Sequence, residues 1–233
     1  MLELNKLHLM DCMEGMKTFP DKYFDLCLTD PPYGVNLEYN TYNDTIENWF
    51  ALMLDFVPEI KRISKMTIFP SCSINKMEWI YKNIPPDWLI CWYKGSPGHS
   101  AYIGFNDFEP LLVYGKVADL HMHDYFTLTN TEKMGNHNHP CPKPVLWYKK
   151  LIKMIGSRKI GKMIEPFAGS GSGIIAAIDY GCEWIGFEID EDYHKAASKR
   201  IEIHKKRPKP FFTDAELANK NIKQKGFFDD NKP

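Results

Sequence analysis

One stretch of this chain restricts the fold more than any other. The apolar run Met163-Ile164-Glu165 leads into Pro166-Phe167-Ala168-Gly169-Ser170-Gly171-Ser172-Gly173; a helical pattern then runs to about Tyr180, and Trp184 to Glu188 is a second apolar run. Strand, tight turn, helix and strand in so short a span form a βαβ unit, whose crossover helix makes the two strands parallel. Glycines at 169, 171 and 173 let the backbone approach a ligand closely and leave helix N-terminal amides unpaired beside it. Glu188 ends the second strand about twenty residues on, where a nucleotide-binding α/β domain places a carboxylate for ribose hydroxyls. The pair points to a nucleoside-bearing cofactor without saying which.

The rest of the chain repeats the alternation. Strands are predicted at Leu7–Met10, Tyr23–Thr29, Met66–Phe69, Trp88–Trp92 and Pro110–Tyr114. Helices are predicted from Cys12 to about Thr18, from Thr45 to Ser64, over Lys76–Asn83, after Pro144, and from Glu191 to Lys206, where Pro208 and Pro210 follow. In the long helix Trp49, Phe50, Met53, Leu54, Val57 and Ile60 follow helical spacing, and Pro58 is expected to kink it. These elements imply one α/β domain over residues 1–207, a mostly parallel twisted sheet with helices on both faces. Residues 117–138 read as polar and irregular, and residues 208–233 as a polar tail.

Composition narrows the class. With 44% hydrophobic and 25% charged residues the chain is neither disordered nor collagen-like. No apolar run approaches the ~18–20 residues of a membrane span, and the N-terminal hexapeptide lacks a signal-peptide pattern. Six cysteines, scattered with no C-x-x-C pair, suit reduced thiols in a cytoplasmic protein and give no metal-ligand spacing. Twenty-nine Lys+Arg against 30 Asp+Glu exclude a basic coat over the whole surface, leaving room for a local basic face.

Asp30-Pro31-Pro32-Tyr33-Gly34 follows an apolar strand, at the carboxyl end where α/β sheets bind ligands. Consecutive prolines hold the backbone extended and remove two donors, so the Asp30 and Pro31 carbonyls can face a ligand. A carboxylate, a rigid carbonyl and an aromatic face suit a planar heterocycle bearing an amino group.

Asp-Pro-Pro-Tyr lying ahead of the Phe-x-Gly-x-Gly segment resembles the β class of amino-DNA methyltransferases, whose motif order is circularly permuted. Leu9-Met10-Asp11-Cys12-Met13-Glu14, Phe19-Pro20-Asp21, Trp92-Tyr93-Lys94, Glu109 and His139-Pro140-Cys141-Pro142-Lys143-Pro144 resemble further family elements in the same order. The likeness extends to about Lys206. It departs at Glu165, where the family more often has aspartate, and at Ser172-Gly173, where it has a threonine pair. The resemblance implies a Rossmann-like methyltransferase fold entered at the middle of its sheet, and transfer of a methyl group from S-adenosylmethionine to the N6 amine of adenine in DNA.

By that resemblance the catalytic residues are Asp30, Pro31, Pro32 and Tyr33, acting on an adenine flipped out of double-stranded DNA. The cofactor would be held by Asp11, the Cys12 amide, Asp30, Lys143, Glu165, Phe167, Gly169, Gly171, Ser172 and Glu188. Residues 117–138 would be a minimal target-recognition insertion. A homodimer and a partner restriction nuclease are compatible with the resemblance. Three rivals stay open: cytosine N4 or an RNA base as acceptor, an inactive DNA-binding module, and a nicotinamide oxidoreductase resting on the glycine turn alone. His121, His123, His137 and His139 read as a polar loop, and Asp190-Glu191-Asp192 as a helix cap. Lys149, Lys150, Lys153, Arg158, Lys159 and Lys162, with Lys205 to Arg207, are either solvated helix faces or phosphate-contacting surfaces.

Overall fold

A computed structural model describes residues 1–95, 100–101, 104–117, 123–129, 142–156 and 160–207. The predicted polar tail, Pro140, Cys141 and most of 117–138 lie outside the described residues. Strands β1 (Lys6–Leu9), β2 (Phe24–Leu28), β3 (Ser64–Pro70) and β4 (Trp88–Tyr93) come first, then the short β5 (Ser100–Ala101) and β6 (Gly104–Phe105). After these come β7 (Phe108–Gly115), β8 (Tyr125–Thr127), β9 (Lys162–Glu165) and β10 (Glu183–Glu188). Helices are α1 (Cys12–Met16), α2 (Ile46–Ile63), α3 (Met77–Asn83), α4 (Val145–Ile155), α5 (Ser172–Asp179) and α6 (Glu191–Lys205).

Eight strands form one sheet in the order β1-β10-β9-β2-β3-β7-β4-β8, and β5 and β6 pair as a separate hairpin. Strands β1, β10, β9, β2 and β3 are mutually parallel. Strand β7 runs antiparallel to both β3 and β4, and β8 is parallel to β4. The chain enters at the sheet edge through β1, not at its middle as the resemblance implied. It crosses to β2, builds outward to β8, and returns through α4 so that β9 and β10 fill the gap beside β1. Periodicity reports which residues face a core and says nothing about strand order. That order follows from which apolar faces meet.

Side chains alternate across the sheet with period two. Leu26, Leu28, Met66, Ile68, Leu111, Val113 and Met163 pack on one face with Trp147 and Leu151 of α4, Ile174 and Ala177 of α5, and Ala197 and Ile201 of α6. Cys27, Phe69, Leu112, Tyr114 and Ile164 pack on the other with Met16 of α1, Ile80 of α3, and Trp49, Met53, Phe56 and Ile60 of α2. The result is three layers, helices covering both faces of a sheet buried on both sides. Helix α2 continues through Pro58 without a break. The carbonyl that loses its donor belongs to Leu54, which is 48% exposed, so water can replace the missing bond. Leu54 itself faces solvent instead of the core.

Within the stretch read as irregular, Tyr125–Thr127 forms the edge strand β8. Three residues are too few to show a period; Phe126 is placed by its ring lying flat against Trp92, 6.3 Å between centroids. At the far end of β7, Gly115 turns with φ +69°. A Cβ there would press into the backbone carbonyl of Lys65 in β3, and its amide donates to Asp87 Oδ2 at 2.6 Å. Gly115→Ala is therefore expected to cost more than ~1 kcal/mol, seen as a lower urea midpoint; an unchanged midpoint would show that this turn relaxes freely.

Candidate active site

The connection from β2 to β3 passes through α2 on one face, while that from β9 to β10 passes through α5 on the other. Between β2 and β9 the winding therefore reverses, and loops leaving their carboxyl ends diverge to open a crevice. A cavity of about 310 Å³ lies there. Asp30, Pro31, Pro32 and Tyr33 after β2 form one side; Pro166, Phe167 and Gly169 after β9 form the floor; Glu188, Ile189, Asp190 and Tyr193 after β10 form the other side. Met10, Asp11, Cys12 and Met13 after β1 close the back.

At Asp30 the charges are tightly paired. Lys143 Nζ lies 3.1 Å from the carboxylate and 4.7 Å from the Tyr33 ring centre. The ammonium also donates to the Tyr33 hydroxyl. That hydroxyl faces Asp30 Oδ1 at 2.9 Å and Glu109 Oε1 at 3.0 Å. It has one proton for two carboxylates, so the arrangement needs the cations: Lys143 at Asp30, and Lys94 at Glu109, 3.4 Å away. Burial pushes the Asp30 carboxyl up against the downward pull of Lys143, and pushes the Tyr33 hydroxyl well up.

On the opposite side, Glu188 Oε2 accepts the Gly169 amide at 2.8 Å and Oε1 accepts the Asp190 amide at 2.9 Å. One carboxylate thus ties the glycine turn to the start of α6, and burial raises its pKa. Asp190 caps α6, accepting from Asp192 and Tyr193 amides at 2.9 Å each, as its position before a helix suggests. Asp11 caps α1 through the Met13 amide at 2.7 Å and lies at the cavity edge. The buried Cys12 thiol is held far above its usual range.

Four residues expected at the cofactor stand behind the cavity wall. Lys143 contacts Asp30 and Tyr33, which line the cavity, without lining it itself. Glu165 is 1% exposed and accepts from the Thr29 hydroxyl and, at 3.3 Å, the Phe167 amide. Gly171 adopts φ +77° at the N-terminus of α5, with Ala197 and Ile201 closing around it. The Ser172 hydroxyl turns toward Ser170, 3.1 Å away, and accepts from Arg200 at 2.9 Å. The cavity in turn has walls that motif reading overlooked: Tyr193, and Val35, Leu37, Tyr39, Thr41 and Tyr42 in the loop after Gly34. Tyr193 is one turn past the Asp190 cap and was legible from that. The loop has no periodic signal.

The described basic residues do not gather at one end of the sheet: β8 runs in the direction of β4 and β3, so Thr127 closes it at the carboxyl end, whereas Lys162 and Trp184 mark the opposite end. Lys149 pairs with Asp179 at the end of α5, 2.7 Å away, and Lys150 donates to the Thr127 carbonyl. Lys162 opens β9, and Lys205 sits 5.4 Å over Trp184 near the start of β10.

Glu165 yields a pH test. Burial raises its folded-state pKa well above the unfolded value, so the folded form holds the proton more tightly. Its contribution to stability is complete below the unfolded carboxyl range and declines as pH rises through that range toward the folded pKa, by up to ~1.4 kcal/mol per unit. Glu165→Gln removes this decline. Urea titrations at pH 5 and pH 8 should show the variant gaining on the parent at the higher pH; an equal loss in both would show that Glu165 is ionised in the fold.

Comparison with known proteins agrees with this architecture. Residues 113–199 match the N6/N4 DNA methylase family. Among curated relatives, the Escherichia coli (strain K12) protein YubD is 28% identical over 82% of this chain and 87% of its own length. The type II methyltransferase M.HinfI of Haemophilus influenzae is 26% identical over 94% and 73%. The DNA adenine methyltransferase YhdJ of Escherichia coli (strain K12) is 23% identical over 83% and 81%. Two solved structures share the fold: the M1.HpyAVI complex with S-adenosylmethionine at TM-score 0.59, 19% identity and 84% and 98% coverage, and the cytosine-N4-specific PvuII DNA methyltransferase at 0.62, 14%, 94% and 92%. Over residues 113–199 the chain is similar to the N6/N4 DNA methylase family, and as a whole it is similar to DNA methyltransferases in sequence and shares their fold.

Proposed function

We propose that the chain transfers a methyl group from S-adenosylmethionine to the N6 amine of an adenine turned out of double-stranded DNA. One observation carries this reading: the Asp30–Tyr33 turn and the Phe167, Gly169 and Glu188 elements open into the same cavity. Its volume is at the lower end for small-molecule sites, and its lining is mainly apolar with carboxylates at the edge, which suits a nucleoside. Glu188 would hold the ribose hydroxyls, Phe167 would lie against the cofactor adenine, Asp11 and the Cys12 amide would meet its edge, and Lys143 would approach the methionine end. When bound, S-adenosylmethionine supplies an electrophilic methyl group on a positively charged sulfur.

The chain's own residues then do the positioning. The Asp30 carboxylate and Pro31 carbonyl accept hydrogen bonds from the target amine, aim its lone pair and stabilise the positive charge growing on nitrogen. Tyr33 offers its ring to the extruded base. Burial raises the Asp30 pKa, and Lys143 at 3.1 Å works against that rise, favouring the ionised acceptor form.

Cytosine N4 is the second reading, favoured by the fold shared with a cytosine-N4-specific enzyme; aspartate at position 30, where the cytosine enzymes more often carry serine, favours adenine. Incubation with labelled methyl donor and DNA, followed by digestion to nucleosides, separates them. Label in N6-methyldeoxyadenosine is expected, label in N4-methyldeoxycytidine selects the second reading, and label in neither overturns both.

Asp30→Ala should lower turnover by about 10²–10³-fold, the worth of a transition-state acceptor, and leave donor affinity within a few-fold. Near-normal turnover would sink the role given to Asp30. Each phosphate contact contributes about 0.9 to the log–log salt slope of DNA binding. Lys149 is engaged by Asp179 and Lys150 by the Thr127 carbonyl, which predicts that neutralising Lys149, Lys150 and Lys153 leaves that slope unchanged; a flattened slope would put DNA on that face.

A further inference from the structure

The turn leaving Tyr33 is held largely by two buried charged residues, Asp44 a few residues further along the same loop and Lys76 from beyond β3. Asp44 is 1% exposed, and its carboxylate accepts the amides of Gly34 at 2.6 Å, Val35 at 3.1 Å and Leu37 at 3.1 Å. Its own carbonyl accepts the Asn36 amide at 2.8 Å. Lys76, 7% exposed in the short turn after β3, donates to the Tyr33 carbonyl and lies 4.4 Å over the Trp49 ring. Gly34 itself turns with φ +61° against Trp49, whose Cβ would be 2.6 Å from any Cβ placed there. Neither charged residue lines the cavity.

Burying a carboxylate and an ammonium is costly unless each is matched by polar partners. Here the partners are four backbone groups of one turn. That turn joins Asp30–Tyr33 to the loop whose Val35, Leu37, Tyr39, Thr41 and Tyr42 wall the cavity. We infer that Asp44 and Lys76 are positioning residues: together they set the backbone from Tyr33 to Leu37, and through it the aim of the Tyr33 ring and the closure of the cavity's outer wall. The kinetic part of the claim rests on the proposed methyl transfer; the conformational part does not.

The test uses the full chain and two variants. Lys76→Met keeps most of the side-chain volume over Trp49 and removes the bond to the Tyr33 carbonyl; Asp44→Asn leaves one acceptor oxygen for three amides. Hydrogen exchange read by mass spectrometry should find the Gly34–Leu37 amides protected in the parent. Exchange there should quicken by at least about tenfold in both variants, with β2 and β9 unchanged. Turnover in Lys76→Met should fall by about 10- to 100-fold, the scale of a misplacement of about 1 Å remote from the chemistry, with donor affinity within about threefold. Three results would overturn the inference: parent amides exchanging as fast as an unstructured peptide, acceleration spread evenly over the whole chain, or parental turnover in Lys76→Met. If Asp44→Asn does not fold, Lys76→Met decides alone. If the parent transfers no methyl group, the proposed function falls and exchange still decides the conformational claim.

Discussion

Strands β2 and β9 pair over only two residues, Leu26 with Met163 and Cys27 with Ile164. Beyond that point the backbone ladder stops, and the Thr29 hydroxyl bonded to the Glu165 carboxyl continues the join through side chains. The site is built on this seam. A longer ladder would close the crevice, whereas no join at all would let the Asp30 turn and the Phe167 turn drift apart. Burial of Glu165 raises its pKa well above the usual carboxyl range, against the pull of its bonds to Thr29 and the Phe167 amide.

Above the seam the chemistry depends on balanced charge. Asp30 and Glu109 face one tyrosine hydroxyl, with Lys143 and Lys94 supplying the opposing charges. Strand β7 delivers Glu109 and strand β4 delivers Lys94, so the antiparallel half of the sheet equips a site whose ligand-facing turns come from the parallel half. On the opposite side of the cavity, Glu188 holds the glycine turn and the head of α6 together, and Arg200 reaches back from α6 to the Ser170 carbonyl at 2.8 Å.

The parts legible from sequence were those carried by local rules. The Asp30–Tyr33 turn, the strand into Phe167-Ala168-Gly169, and Glu188 closing the next strand each combine a periodic apolar run with punctuation by proline, glycine or acid. The structure brings Asp30, Tyr33, Phe167, Gly169 and Glu188 to one cavity. Ser172, Gly171 and Glu165 share the same local signal yet stand behind the wall, because turn chemistry does not specify which side of the turn meets the cavity. The β8 strand and the reversed direction of β7 had no local marker that could have revealed them.

Asp44 and Lys76 show the boundary most plainly. In sequence, one is an acid ahead of a helix and the other a lysine in a short polar turn, indistinguishable from surface residues. Burial around Trp49 makes them important, since a charge removed from water must find its partners in the protein, and the nearest are the backbone groups of the turn leaving Tyr33. Sequence alone determined the kind of elements, their order along the chain and the residue types presented at strand ends, because these follow from side-chain period and backbone stereochemistry within a few residues. Packing decided the strand order, which carboxylates became buried and which lysines point to the site. These depend on which apolar surfaces exclude water together, and residues far apart in the chain share that choice.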